Sequence, residues 1–257
     1  MAADTAVTIT SRLADGKDLI RVLTGVRKLQ PVEKIQAGIS VWGQGQIGNV
    51  DSDVWLDQFI RTKRDDYDSL ESFAVLLRDE LRRHIPALSP ENAVDGTIGF
   101  HLCGFTELDG TKLPNFYHIH NGRSTSLERR GLRIDPTVIN ANHDFPPDIS
   151  RRTLEQGMGY LTSNGDYRPY REIFGVLESL LDDFAGRTKG DLLIPMSSSL
   201  TDRSEWLRFK IETMARLYRL AGVRLQAGGD YVRLPTIGGE ITTLTITSNG
   251  IKEYQTR

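Results

Sequence analysis

Gly43, Gly45 and Gly48, in the stretch Ile39-Ser-Val-Trp-Gly-Gln-Gly-Gln-Ile-Gly48, form a G-x-G-x-x-G spacing directly after a run that reads as a buried strand. Such a cluster has two chemical uses. It can cradle the pyrophosphate of a dinucleotide at the start of a helix, or it can leave backbone N–H groups open to a reacting atom. The first use needs Gly48 inside the helix and a parallel strand returning afterwards. Here Gly48 is followed by Asn-Val-Asp-Ser-Asp, which are turn and cap residues, so the helix starts near Ser52 and no β-branched run returns before the next helix. The dinucleotide reading fails on spacing, and a tight turn that is merely structural is the plain alternative.

His118 and His120 are i, i+2 on a strand and share one side of it, and with His101 they could supply three nitrogen ligands to a metal. The sequence places no carboxylate with them, and strand histidines are more often surface or core residues, so no metal is expected. Cys103, between Leu102 and Gly104, reads as a small buried residue and not as half of a nucleophilic Cys–His pair. The basic run from Arg129 to Arg133 reads as solvated loop, and Trp55 and Trp206 fall in helix stripes as core or interface residues.

Residues 5–10 alternate and are rich in β-branched side chains, as a strand requires. Leu19 to Leu29 and Lys34 to Trp42 follow as further strands, with an extended hairpin over the Ser11 to Asp18 region. Helical spacing then takes over. Trp55, Leu56, Phe59 and Ile60 share a face, and Leu70, Phe73, Leu77, Leu81 and Ile85 make a longer stripe, with Asp68-x-x-Glu71 as its capping box and Pro86 as its stop. Thr97 to Phe105 and Asn115 to His120 predict two strands joined through Asp109-Gly110. Ile173, Leu177, Leu180 and Phe184 predict a third helix; Leu207, Ile211, Met214, Tyr218 and Ala221 predict a fourth, ending at Gly222. A Thr-rich strand, an Asn249-Gly250 turn and a return strand close the chain. Strands, two helices, strands, two helices, strands: this order suits two antiparallel sheets between helical layers better than a βαβα alternation.

At 257 residues the chain suits one domain. With 32 Lys+Arg against 34 Asp+Glu the net charge is −2, which offers no electrostatic footprint for nucleic acid. One cysteine excludes an internal disulfide and any multi-cysteine zinc site. No apolar run approaches the roughly 18 residues of a membrane span, and the first residues are not a secretory signal, so no membrane association and a cytoplasmic location are expected.

Four segments together carry a family resemblance: "AADTAVT" (residues 2–8), "VRKL" (26–29), "GISVWGQG" (38–45) and "GGEITTLTITSNG" (238–250). Through them nearly the whole chain resembles the β-type subunits of the proteasome and its bacterial homologues, members of the N-terminal nucleophile (Ntn) hydrolases. The resemblance implies an α+β fold, a four-layer αββα sandwich of two antiparallel sheets between helical layers, over residues 1–257 as a single domain. It implies amide- or peptide-bond hydrolysis without a cofactor, and self-association into a ring or other symmetric oligomer. By the same resemblance Asp4 matches the family's strand-ending aspartate, Lys28 the lysine beside the nucleophile, and Gly43 the glycine whose N–H stabilises the oxyanion.

The departures are as informative. The family's nucleophile, usually a mature N-terminal threonine, would lie about a dozen residues upstream of Asp4, where this sequence has only Met1-Ala2-Ala3. The expectation is therefore that Met1 is an internal methionine, that the nucleophile strand lies upstream, and that the chain as it stands is inactive. The Gly-Ser-Gly turn reads Gly157-Met158-Gly159, and the Asp and Ser that brace the amino terminus fall at Leu234 and Ile237. These differences point to a divergent bacterial or archaeal-type branch. A threonine-type peptidase and a small-amide hydrolase stay equally open, and a non-catalytic scaffold or assembly protein is the alternative.

Overall fold

The structure, a computed structural model, describes residues 1–12, 18–85, 98–120, 148–153, 168–188, 199–221, 223–224, 231–232 and 237–256. It is a mixed α and β chain of antiparallel sheets and helices. Two units separate by their contacts: Met1–Val26, Thr162–Thr243 and Gln255–Arg257 in the first, Arg27–Leu161 and Leu244–Tyr254 in the second.

The second unit is built on a five-stranded antiparallel sheet. Its strands are β4 (Leu29–Val32), β5 (Ala37–Gly43), β8 (Ile98–Leu108), β9 (Thr111–His120) and β10 (Asp148–Thr153), in the order β10-β9-β8-β5-β4. Because side chains alternate across a strand, one face collects Ile39 and Val41 of β5, Ile98, Phe100 and Leu102 of β8, and Tyr117 and Ile119 of β9. Helices α1 (Ser52–Thr62) and α2 (Leu70–His84) cover that face with Trp55, Leu56 and Phe59 and with Phe73, Ala74, Leu77 and Leu81. Phe73 is the hub, edge-on to Tyr67 at 4.8 Å and to Phe59 at 5.6 Å between ring centroids. Both predicted helices are present, but the cap of α2 lies one residue further on. Ser69, not Asp68, accepts the N–H of Ser72, and Ser72 returns the bond to the Ser69 N–H, so a Ser–Ser capping box replaces the expected Asp–Glu one.

The β8/β9 hairpin turns on Asp109 (φ 50°) and Gly110 (φ 75°), the left-handed pair that the Asp-Gly dipeptide favours. Its strands run longer than the sequence pattern suggests, since ladder pairing carries polar residues beyond the apolar run. The strands β13 (Ile241–Thr247) and β14 (Gly250–Thr256) turn at Asn249-Gly250, as predicted. Three bonds tie this hairpin to the five-stranded sheet: Ile251 N–H to Gln36 Oε1 (2.9 Å), Lys112 Nζ to the Ser248 carbonyl (2.7 Å) and Tyr254 OH to the Leu29 carbonyl (3.0 Å).

In the first unit, β1 (Ala2–Asp4) pairs antiparallel with residues 241–243 of β13, β2 (Val7–Arg12) pairs with β3 (Asp18–Leu23), and the short β11 (Val223–Arg224) pairs with β12 (Tyr231–Val232). The sequence pattern predicts one strand over residues 5–10. The chain breaks instead at Thr5 and Ala6, because the Thr5 N–H bonds the Gly238 carbonyl and its own carbonyl accepts the Val26 N–H, which switches it from one sheet to another. Helices α3 (Arg168–Arg187) and α4 (Leu200–Ala221) enclose a small core of Phe174, Met214 and Tyr218, with Leu177, Leu217 and Ile237 against it. The Gly157–Gly159 turn, Leu234, Pro86 and Gly222 lie outside the described residues.

Candidate functional site

The segment that carries Lys28 is held by the first two turns of α1. The Arg27 N–H donates to Asp53 Oδ2 (2.9 Å), the Arg27 guanidinium meets Asp57 at 3.2 Å, and the buried Gln30 amide donates to the Asp53 and Arg27 carbonyls at 2.8 and 3.2 Å. The Lys28 carbonyl accepts the Val41 N–H at 2.8 Å, so Lys28 stands opposite Val41 at the start of the β4/β5 pair, its side chain half-buried. Gly43 ends β5 two residues later, on the order of 7 Å along the strand. It is exposed and has φ 90°, a backbone conformation that side chains other than glycine's rarely permit. Lys28 and Gly43 therefore share one end of one strand pair.

The rest of the glycine cluster does structural work. Ile47 is buried, β6 (Gln46–Ile47) folds onto β7 (Val50–Asp51) through Gly48 (φ 61°), and the Gly45 carbonyl accepts the Ser52 N–H that opens α1. The helix begins at Ser52, as the cap residues indicate, which leaves no glycine inside its first turn.

Asp4 belongs to the other unit, where its Oδ2 accepts the N–H of Gly238 (3.0 Å) and of Ala6 (3.3 Å). That carboxylate holds β1 to the glycine pair preceding β13, in the region where the chain switches sheets.

The face of the five-stranded sheet away from α1 and α2 has a different chemistry. The register lines up three rows: Gly38, Cys103 and Phe116; Ser40, His101 and His118; Trp42, Gly99 and His120. The His118 and His120 rings stack at 4.0 Å between centroids, His101 meets His118 edge-on at 4.8 Å, and Trp42 lies 5.6 Å from His118. Gly99 makes room for this, since a Cβ at that position would collide with the Trp42 indole. Burial pushes His101 down to about 3, with the neighbouring His120 adding to the effect, and holds His118 well below the usual imidazole range with help from His120 and His101. The Cys103 thiol is pushed up to about 11 by burial, which keeps it in the inert thiol form at neutral pH.

Among the described residues no group of three His, Cys, Asp or Glu side chains is placed to hold a metal ion, and no helix is long and apolar enough to cross a membrane. Sequence reasoning marked the three histidines but missed their meeting with Trp42; the alternation of Ser40 and Trp42 was the available signal, and the cross-strand register that uses it is not a local property. No protein-family model matches the chain, and comparison with curated proteins and with solved structures likewise finds no match.

Proposed function

We propose that the chain is a proteasome β-subunit-like Ntn hydrolase, arranged as an αββα sandwich, that cleaves peptide or small-amide bonds in a form carrying a nucleophilic residue upstream of Met1. The observation that supports this most is the placing of Lys28 and of the positive-φ Gly43 at one end of the β4/β5 pair. In this reading the N-terminal hydroxyl adds to the substrate carbonyl and its proton passes to the free α-amine, while Lys28 favours the ionised nucleophile by its charge. The Gly43 N–H stabilises the tetrahedral oxyanion; the leaving amine takes the proton, and water then releases the acyl group.

Turnover of a fluorogenic peptide and of a simple amide by a form that begins with Thr, Ser or Cys upstream of the first strand tests this. Lys28→Ala is expected to lower turnover on the order of 100-fold or more with an unchanged melting temperature. Full activity in that variant, or its unfolding, rejects the catalytic role.

The alternative, a non-catalytic proteasome-like scaffold or assembly protein, draws on Asp4, whose carboxylate bonds two backbone N–H groups and so has a structural task without any catalysis. Inactivity of every extended form favours it. Self-association into a ring or other symmetric oligomer is proposed under both readings, supported by Ile173, Val176, Leu180 and Phe184, which stay exposed along α3. Sedimentation as a monomer at micromolar concentration rejects it.

A further inference from the structure

Lys28 directly precedes β4, the edge strand of the five-stranded sheet. In an antiparallel pair the backbone groups of successive residues point alternately towards the partner strand and away from it. The Lys28 carbonyl points inward, to the Val41 N–H, so the Leu29 carbonyl points outward, where among the described residues no further strand pairs with β4. A single side chain meets it there: the Tyr254 hydroxyl of β14 donates to the Leu29 carbonyl at 3.0 Å. We propose that Tyr254 is a positioning residue for Lys28, holding the Lys28–Leu29 backbone in place from β14 while α1 holds the residues on either side of it.

The α1 anchors act at Arg27 and Gln30: Asp53 accepts the Arg27 N–H, Asp57 pairs with its guanidinium, and the Gln30 amide donates to the Asp53 carbonyl. Between those two residues, the Leu29 carbonyl is the point at which β14 takes hold. Leu29 is 1% exposed, so water competes little for that carbonyl, and a hydrogen bond to it is worth correspondingly more. Tyr254 itself is 41% exposed, so its ring contributes little to the core, and the hydroxyl is the part of the side chain with a defined partner. Burial raises the phenol above its ordinary pKa, against the opposing charge of Arg27, and the hydroxyl therefore stays a donor at neutral pH. The catalytic consequence rests on the hydrolase reading above. A lysine ammonium stands at the end of a four-carbon stem, and a misplacement of about 1 Å can cost on the order of 100-fold in rate.

Tyr254→Phe removes the hydroxyl and keeps the ring. In the 257-residue chain, amide hydrogen exchange followed by NMR is expected to speed up at Val41, whose acceptor is the Lys28 carbonyl, by about three- to tenfold, the worth of one hydrogen bond, while the amides of α2 keep their parental rates. An unchanged rate at Val41 overturns the proposal. So does an equal loss of protection in α2, which would make Tyr254 a support of the whole unit. In a form extended by an N-terminal nucleophile, Tyr254→Phe is expected to lower kcat about tenfold with KM nearly unchanged, and to slow Lys28→Ala no further, because it acts through Lys28. Additional slowing in the double variant, or a change confined to KM, overturns the positioning role. If no extended form turns over substrate, the hydrolase reading falls, and exchange at Val41 alone decides whether Tyr254 fixes the Lys28 backbone.

Discussion

The two faces of the five-stranded sheet are made by the same strands and the same alternation, yet they are stabilised differently. Towards α1 and α2 the sheet presents Ile39, Val41, Phe100, Leu102, Tyr117 and Ile119, and the helices meet it with an apolar stripe. Away from the helices it presents Ser40, Trp42, His101, Cys103, Phe116, His118 and His120. The first face depends on shape and apolar area, which do not respond to protons; the second depends on keeping several titratable groups neutral. The two faces thus differ in their titratable content: the second carries His101 and His118, both held below the ordinary imidazole range by burial.

The largest expected effect is on the helix-covered face. Phe73→Ala removes a fully buried ring that touches Phe59 and Tyr67, and is expected to cost about 3 to 5 kcal/mol in urea-denaturation midpoint experiments, equally at pH 7.5 and pH 5. A marked pH dependence of that cost would blur the distinction between the faces.

On the other face acid itself is the perturbant. His101 and His118 have folded pKa values depressed below 6.5, so the unfolded chain binds more protons than the native one. Stability is full above about pH 6.5 and declines as pH falls, down to about 3 for His101, at up to about 1.4 kcal/mol per pH unit for each histidine. Denaturation curves of the parent and of His101→Gln at half-unit pH steps check this. A slope that is the same in both would sink the assignment for His101.

Gly99→Ala is expected to cost about 1 to 3 kcal/mol, because the new methyl must displace the Trp42 indole, and to alter the near-ultraviolet circular dichroism of the folded protein. An alanine variant with parental stability and spectrum would mean that Trp42 does not rest on Gly99. The smallest effect is expected at Ser69→Ala, about 1 kcal/mol from the lost cap of α2, with no change in the acid slope. It separates generic destabilisation from loss of the histidine face.

Much of the local structure was readable. The stripes of Trp55 to Ile60 and Leu70 to Ile85 became α1 and α2, and Asp109-Gly110 and Asn249-Gly250 became turns, because each depends on spacing or backbone freedom within a few residues. The α2 cap was displaced by one residue because Asp68 and Ser69 are both competent acceptors and only the path of the incoming chain selects between them. Of the three residues singled out by family resemblance, Lys28 and Gly43 stand at one end of a strand pair, while Asp4 is engaged with Gly238, a partner far along the chain that no local pattern indicates.

The amino-acid sequence by itself determined the four helix stripes, the turns that need a left-handed residue and the alternation that gives strands two unlike faces. Tertiary structure alone decided that β5 lies between β4 and β8 in the register that sets Trp42 on Gly99, and that β8 meets β9 so that His101 faces His118. Periodicity and propensity act over a few residues, whereas strand order and register are set by which apolar faces can be buried together, a property of the whole chain.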